Sequence, residues 1–230
     1  NRDVGVRAAA LTELVRRDAR RGRGRAVTAL SDASSWLRFS AAEALARLCD
    51  PVAEVSAHYL IDRDGTVFSL VNEAHRAWHA GAGAWAGEGD VNSRSLGIEL
   101  QNMGAEPFAE RQMASLEGLL REVMQRHGLG PAAVIGHGDM APERKGDPGA
   151  RFDWRRLARQ GLSVWPDPAS PGDFVADLRA FGYPEAAPET QLAAFRLRFR
   201  PWARGPLDDT DRALAAGLRR IAVDDGPSRP

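Results

Sequence analysis

The chain has 230 residues, of which 43% are apolar and 27% charged, with a formal net charge of zero and a single cysteine. With zero net charge, nothing suggests a bulk electrostatic partner such as nucleic acid. No apolar run reaches the roughly 18 residues of a membrane span, and a lone Cys49 rules out an internal disulfide. The length suits one ordinary domain plus a small second one.

Residues 1–37, with "RRDARRGRGRAV", read as an atypical, disordered leader without an apolar export core. Ala41 to Cys49 places Leu45, Leu48 and Cys49 at helical spacing, and Pro51 ends that run. Cys49 there reads as a buried structural thiol, and the alternative is a reactive one. Val55 to Ile61 is β-rich, then "DRDG" leads into "TVFSLV", which predicts a hairpin. "AHRAWHAGAGAWAGEGDVNSRS" is too irregular for a strand or a long helix and reads as a surface loop. In Leu96 to Gln101, Leu96, Ile98 and Leu100 share one face of a strand, and Gly97 and Glu99 share the other.

Phe108 to His127 carries a helical stripe of Met113, Leu116, Leu120, Val123 and Met124, stopped by Gly128. "AAVIG" predicts a short buried strand, and Asp153 caps a short helix that stops near Gly161. "WPDPASPGD" is a linker by composition. Helical patterns follow at Phe174–Phe181, Gln191–Phe199 and Asp208–Ile221, a module of about 50 residues near the lower limit for independent folding.

The chemistry concentrates in "IGHGDMAPERKGDPG", Ile135 to Gly149. His137 and Asp147 carry two ordinary zinc-ligand types, although on spacing alone such residues in a polar loop are more often just solvated. Lys145 is the only lysine in a chain whose other basic residues are all arginine. In an extended segment it projects to the same side as Asp147, where an ammonium could stabilise an oxyanion. Glu99 is either a solvent-facing strand residue or a general base.

Four stretches occur together in this order: "SAHYLIDRDGTVFSLV", "RAWHAGAGAWAG", "NSRSLGIELQN" and "IGHGDMAPERKGDPGARFDW". They resemble the zinc-dependent N-acetylmuramoyl-L-alanine amidases of the peptidoglycan-recognition type, amidase family 2. The likeness runs from about Phe39 to Trp165. It implies an α/β fold, a mixed β-sheet flanked by helices, with a Zn2+ at one end. It implies hydrolysis of the amide between N-acetylmuramic acid and L-alanine in peptidoglycan or a muropeptide. By the same resemblance His137 and Asp147 are zinc ligands, Glu99 and Lys145 are catalytic, and His79 binds substrate. The tail, with "AFRLRFRPWARGPLDDTDRALAAGL", resembles a small peptidoglycan-binding helical domain. The expected organisation is a leader over 1–37, an amidase domain over 38–165, a linker over 166–173, a helical binding domain over 174–222 and a tail over 223–230. With no export signal visible, the expected compartment is the cytoplasm, and the alternative is the cell envelope.

One position departs from the family. Its first zinc ligand is a histidine ending the first strand, and the matching text here is "WLRFS", with Arg38 in that place. A guanidinium has no lone pair to give a metal. The histidines that could substitute are His58 in a strand and His79 in the groove loop. Two readings follow: a working zinc amidase whose first ligand comes from elsewhere, or a metal-poor, catalytically silent peptidoglycan-binding protein.

Overall fold

The structure, a computed structural model, describes residues 55–102, 104 and 106–221. The leader, the helix expected at Ala41–Cys49, and Arg38 lie outside the described residues. The rest divides into two compact units. The first comprises residues 55–81, 92–102 and 108–116, and the second comprises 82–91, 104, 106–107 and 117–221.

The first unit holds a small mixed sheet in the order β2-β1-β3, with β1 Tyr59–Ile61, β2 Val67–Ser69 and β3 Ile98–Leu100. β1 and β2 are antiparallel, with Tyr59 opposite Ser69 and Ile61 opposite Val67. The expected Asp-Gly turn joins them: the Asp62 amide donates to Thr66 O, and the Gly65 amide to Asp62 O. β3 runs parallel to β1, with Leu60 facing Glu99 in register. Leu60, Ile61 and Phe68 of this sheet are buried. Helix α1, Glu110–His127, is locked to this sheet at its start. Gln112 Nε2 donates to Ile61 O at 2.9 Å and Gln101 O at 3.0 Å, and Ser115 Oγ donates to Gly65 O. Its apolar stripe, Met113 to Met124, is buried as the periodicity predicts.

In the second unit, helix α2, His137–Met140, and helix α3, Trp154–Arg159, precede three longer helices. These are α4 Phe174–Phe181, α5 Pro188–Phe199 and α6 Asp209–Arg219. Local signals explain their ends. Asp153 accepts from the Arg156 amide, Asp173 from the Val175 and Ala176 amides, and Asp208 from the Asp211 amide. Pro188 opens α5, a first-turn position where its missing N–H costs nothing. Phe174, Phe195 and Phe199 form the centre of the helical cluster. The small mixed sheet flanked by helices agrees with the fold class expected from the sequence.

The strand expected at "AAVIG" is not formed. Pro131–Ala133 is a 3-10 turn, and Val134 and Gly136 continue it as extended chain. Proline at the first position favours a helical start and supplies no ladder donor. His137 therefore sits at the first position of a helix, not at the end of a strand.

Candidate active site

The turn that presents His137 is built from backbone outward. Gly136 is extended, and its amide donates to Asp139 Oδ2 at 2.8 Å. The Asp139 amide returns a bond to Gly136 O at 3.1 Å. That pair of bonds starts α2 and fixes the direction of the intervening His137. A side chain at position 136 would meet Pro148 Cδ at 2.9 Å and the Trp154 ring at 3.2 Å, so glycine permits the close approach of the 147–149 segment. The Gly138 amide then donates to Asp147 O at 2.9 Å, which tethers the second carboxylate-bearing segment to the same turn.

The result is a pair. His137 Nδ1 lies 3.0 Å from Asp147 Oδ2. The His137 side chain is largely covered, while that of Asp147 is half-exposed. Partial burial pushes the Asp147 carboxyl up. The hydrogen bond and charge of His137, its own backbone and the nearby Lys145 more than offset this, so its pKa lies below the ordinary 3.8. The carboxylate is thus held ionised, the form that binds a cation. Lys145 is exposed and contributes to the field at Asp147, as the i, i+2 spacing suggests.

The pair fits a metal as two ligands of a larger set. Zinc–ligand bonds of about 2.0–2.1 Å in tetrahedral geometry place two donor atoms about 3.3 Å apart. The observed 3.0 Å separation is close to that value. Among the described residues no third histidine, cysteine or carboxylate completes the set. His58 is engaged elsewhere. Its Nδ1 accepts from the Gly97 amide at 3.0 Å, so its proton sits on Nε2, which donates to His75 O at 3.0 Å. Neither nitrogen has a lone pair for a metal, and His58 is a core residue, 1% exposed.

The structure places His79 and Glu99 in the first unit. Glu99 is exposed on β3, the middle residue of its strand. His79 packs on Gly97: a Cβ there would come 2.3 Å from its ring. Its loop is held by Asn92, whose Oδ1 accepts from the His79 amide at 3.0 Å and the Ala80 amide at 2.8 Å. Sequence reasoning passes over Asn92, although it opens the "NSRS" stretch. It passes over Asp139, Tyr183 and Arg198 as well. Asp139 had one local signal: a carboxylate three residues after a glycine that precedes a helix.

The family model described as N-acetylmuramoyl-L-alanine amidase, Amidase_2, matches residues 26–150. The chain is 34% identical over 212 residues to N-acetylmuramoyl-L-alanine amidase AmiD of Escherichia coli, covering 76% of each chain. It is 41% identical over 103 residues to 1,6-anhydro-N-acetylmuramyl-L-alanine amidase AmpD of Haemophilus influenzae, covering 44% of this chain and 56% of that one. Its fold is similar to AmiD from E. coli in complex with anhydro-N-acetylmuramic acid-L-Ala-D-gamma-Glu-L-Lys, with a TM-score of 0.69 at 33% identity over 78% of this chain and 83% of that one. AmpDh3 from Pseudomonas aeruginosa gives a TM-score of 0.68 at 30% identity over 77% of this chain and 85% of that one. With over half its length matched by the family model, and with that likeness to AmiD, the chain belongs to the N-acetylmuramoyl-L-alanine amidase family Amidase_2.

Proposed function

We propose that the chain hydrolyses the amide between the lactyl group of N-acetylmuramic acid and L-alanine, in muropeptides that include the anhydro form. The observation that carries this reading is the His137–Asp147 pair, 3.0 Å apart, with the carboxylate held ionised beside Lys145. His137 and Asp147 would hold Zn2+, which when bound supplies a nucleophilic water at neutral pH. Glu99 takes the proton from the attacking water as its oxygen bonds to the lactyl carbonyl carbon. Lys145, a mobile point charge with three donors, stabilises the developing oxyanion. The C–N bond then breaks, and Glu99 returns the proton to the amine of L-alanine. In this reading His79 takes the substrate-contacting role that the family resemblance assigns it.

The helical module takes a binding role in the same reading. It carries a groove of about 720 Å³ lined in part by Leu192, Leu197, Arg204 and Leu207. Between the groove residues Pro201 and Ala203, Trp202 is 66% exposed, a surface suited to stacking on a sugar face.

Arg38 supplies the second reading, a silent binding protein. The experiment measures zinc content and release of peptide with a free L-alanine amine from an anhydromuramyl tripeptide, on the full chain and on Arg38→His. Hydrolysis by the full chain with stoichiometric zinc is the expected result. No hydrolysis by the full chain, restored in Arg38→His together with zinc, would establish the silent reading instead. In the same preparations Trp202→Ala should weaken sedimentation with insoluble peptidoglycan and leave turnover of the soluble tripeptide unchanged. Unaltered sedimentation would refute a binding role for that surface.

A further inference from the structure

Asp139, 4% exposed, has two partners beyond its own turn's backbone, and both come from the C-terminal helical region. Tyr183, just after α4, donates its hydroxyl to Oδ1 at 2.5 Å. Arg198 of α5 donates Nη1 to Oδ2 at 2.5 Å. The third partner is the Gly136 amide on the same Oδ2. The other guanidinium nitrogen of Arg198, Nη2, donates to Val134 O at 3.0 Å and Ser163 Oγ at 3.1 Å. One planar guanidinium therefore grips both ends of the segment 134–139, whose middle delivers His137. The Arg198 side chain is 2% exposed and lies over the Trp154 ring at 4.2 Å.

The surroundings exclude a ligand-binding role for this cluster. The space between Gly136, Asp147, Trp154 and Arg198 amounts to about 10 Å³, barely one water. Nor is the cluster economical as a source of stability, because burying a charged pair repays its desolvation only when every bond is made. What it supplies is a fixed geometry. A guanidinium fork and a phenol hydroxyl restrict one carboxylate in direction as well as distance.

We infer that Arg198 and Tyr183 are positioning residues that act through Asp139 to set the His137 imidazole for metal, so that the C-terminal helices are a working part of the amidase centre. This rests on the reading of His137 as a metal ligand. A group bonded directly to a ligand typically changes metal affinity about 10–100-fold when lost, and these residues, which hold the backbone of the His137 turn, act within that bound.

The test titrates zinc against a chelator on the full chain and on Arg198→Met, Tyr183→Phe and Arg196→Met. Arg196 is the control. It lies on the same helix and is buried, but its guanidinium serves Asp211, Gly205 and Pro206 within the helical cluster. Arg198→Met should weaken zinc binding by up to about 10-fold, the lower end of the range for a ligand's direct partner. Tyr183→Phe keeps the ring and should weaken it less, and it should lower the melting temperature less than Arg198→Met because the ion pair stays intact. Arg196→Met should lower the melting temperature without altering zinc affinity. Equal loss of affinity in all three variants, in proportion to stability, overturns the inference, as does unchanged affinity in Tyr183→Phe. If Arg198→Met does not fold, Tyr183→Phe decides. If the parent binds no zinc, the metal reading fails by itself, and hydrogen exchange of the metal-free chain decides the positioning role. Faster exchange at the 136–139 amides in Tyr183→Phe but not in Arg196→Met supports it, and no difference overturns it.

Discussion

Two histidines show how residue type and residue role separate. His58 immediately precedes β1 and His137 opens α2, and both could serve as ligands on chemistry alone. The Gly97 amide and His75 O consume the two nitrogens of His58, whereas His137 turns Nδ1 toward a carboxylate. That difference is made by chain segments 17 and 39 residues away from His58, so no local pattern around it carries the information. Lys145 is the opposite case. A single lysine in an arginine-rich chain is visible in the sequence, and the structure puts its charge within reach of Asp147. If that ammonium stabilises the oxyanion, Lys145→Ala should lower kcat about 10²–10³-fold, as for loss of one oxyanion donor. KM should change little, because the charge it meets develops only in the transition state. A fall in kcat below threefold would remove Lys145 from the chemistry.

At the scale of elements, the sequence is legible wherever a local signal decides. The hairpin turn, the α1 stripe and the Asp153 cap of α3 stand where composition and spacing put them, and Asp173 and Asp208 cap α4 and α6 by the same local chemistry. "AAVIG" misleads because an apolar run of that length suits a strand or a turn equally, and Pro131 with Gly136 tips the balance. The α6 helix gives two tests in which opposing effects must be weighed. Alanine in place of Gly217 gains about 1 kcal/mol of helix propensity. Its Cβ, however, would stand 2.0 Å from Asp167 O, a backbone atom with no rotamer to change. Overpacking costs about 1–3 kcal/mol, so Gly217→Ala should lower the melting temperature, and a rise would show that the 166–169 segment yields freely. The second test is acid. Asp208 accepts from Arg200 at 2.7 Å and from the Asp211 amide at 2.9 Å, and the Arg200 bond leads in depressing its pKa from 3.8 to about 2. A depressed folded-state pKa gives stability that is complete above the unfolded value and is lost as pH falls through the folded one. The contribution should therefore fade between about pH 4 and pH 2. Asp208→Ala should cost about 0.5–2 kcal/mol at neutral pH as a lost cap. Its melting temperature should also depend less on pH in that window, and an unchanged pH profile would refute the assignment.

For the whole molecule, the text between Trp165 and Asp173 reads as a linker, and the helices beyond it read as a module. Nothing local in "RLRF" or "FGYPE" announces that Arg198 and Tyr183 meet an aspartate 59 and 44 residues upstream. Within the second unit the chain binds these pieces tightly. Trp85 packs edge-on against Phe181 and Tyr183 at 5.6 and 5.4 Å, the Ala86 amide donates to Gly182 O, and the Ala169 amide donates to Ala213 O. A chain ended after Trp165 would retain Asp139 while losing its guanidinium and phenol partners. Removing one side of a buried ion pair costs about 3–5 kcal/mol, and a typical domain has only about 5–15 kcal/mol in all. Each aromatic pair lost at Trp85 costs about 0.5–1.5 kcal/mol more. Truncation at that point should therefore yield a chain that melts well below the parent, or does not stay folded, and it should fail on soluble muropeptides as well as on insoluble peptidoglycan. A separable binding domain would behave otherwise, with sedimentation on peptidoglycan lost and soluble turnover intact. A truncated chain with the parent's melting temperature and full turnover of the anhydromuramyl tripeptide would show that the helices beyond Trp165 serve binding alone.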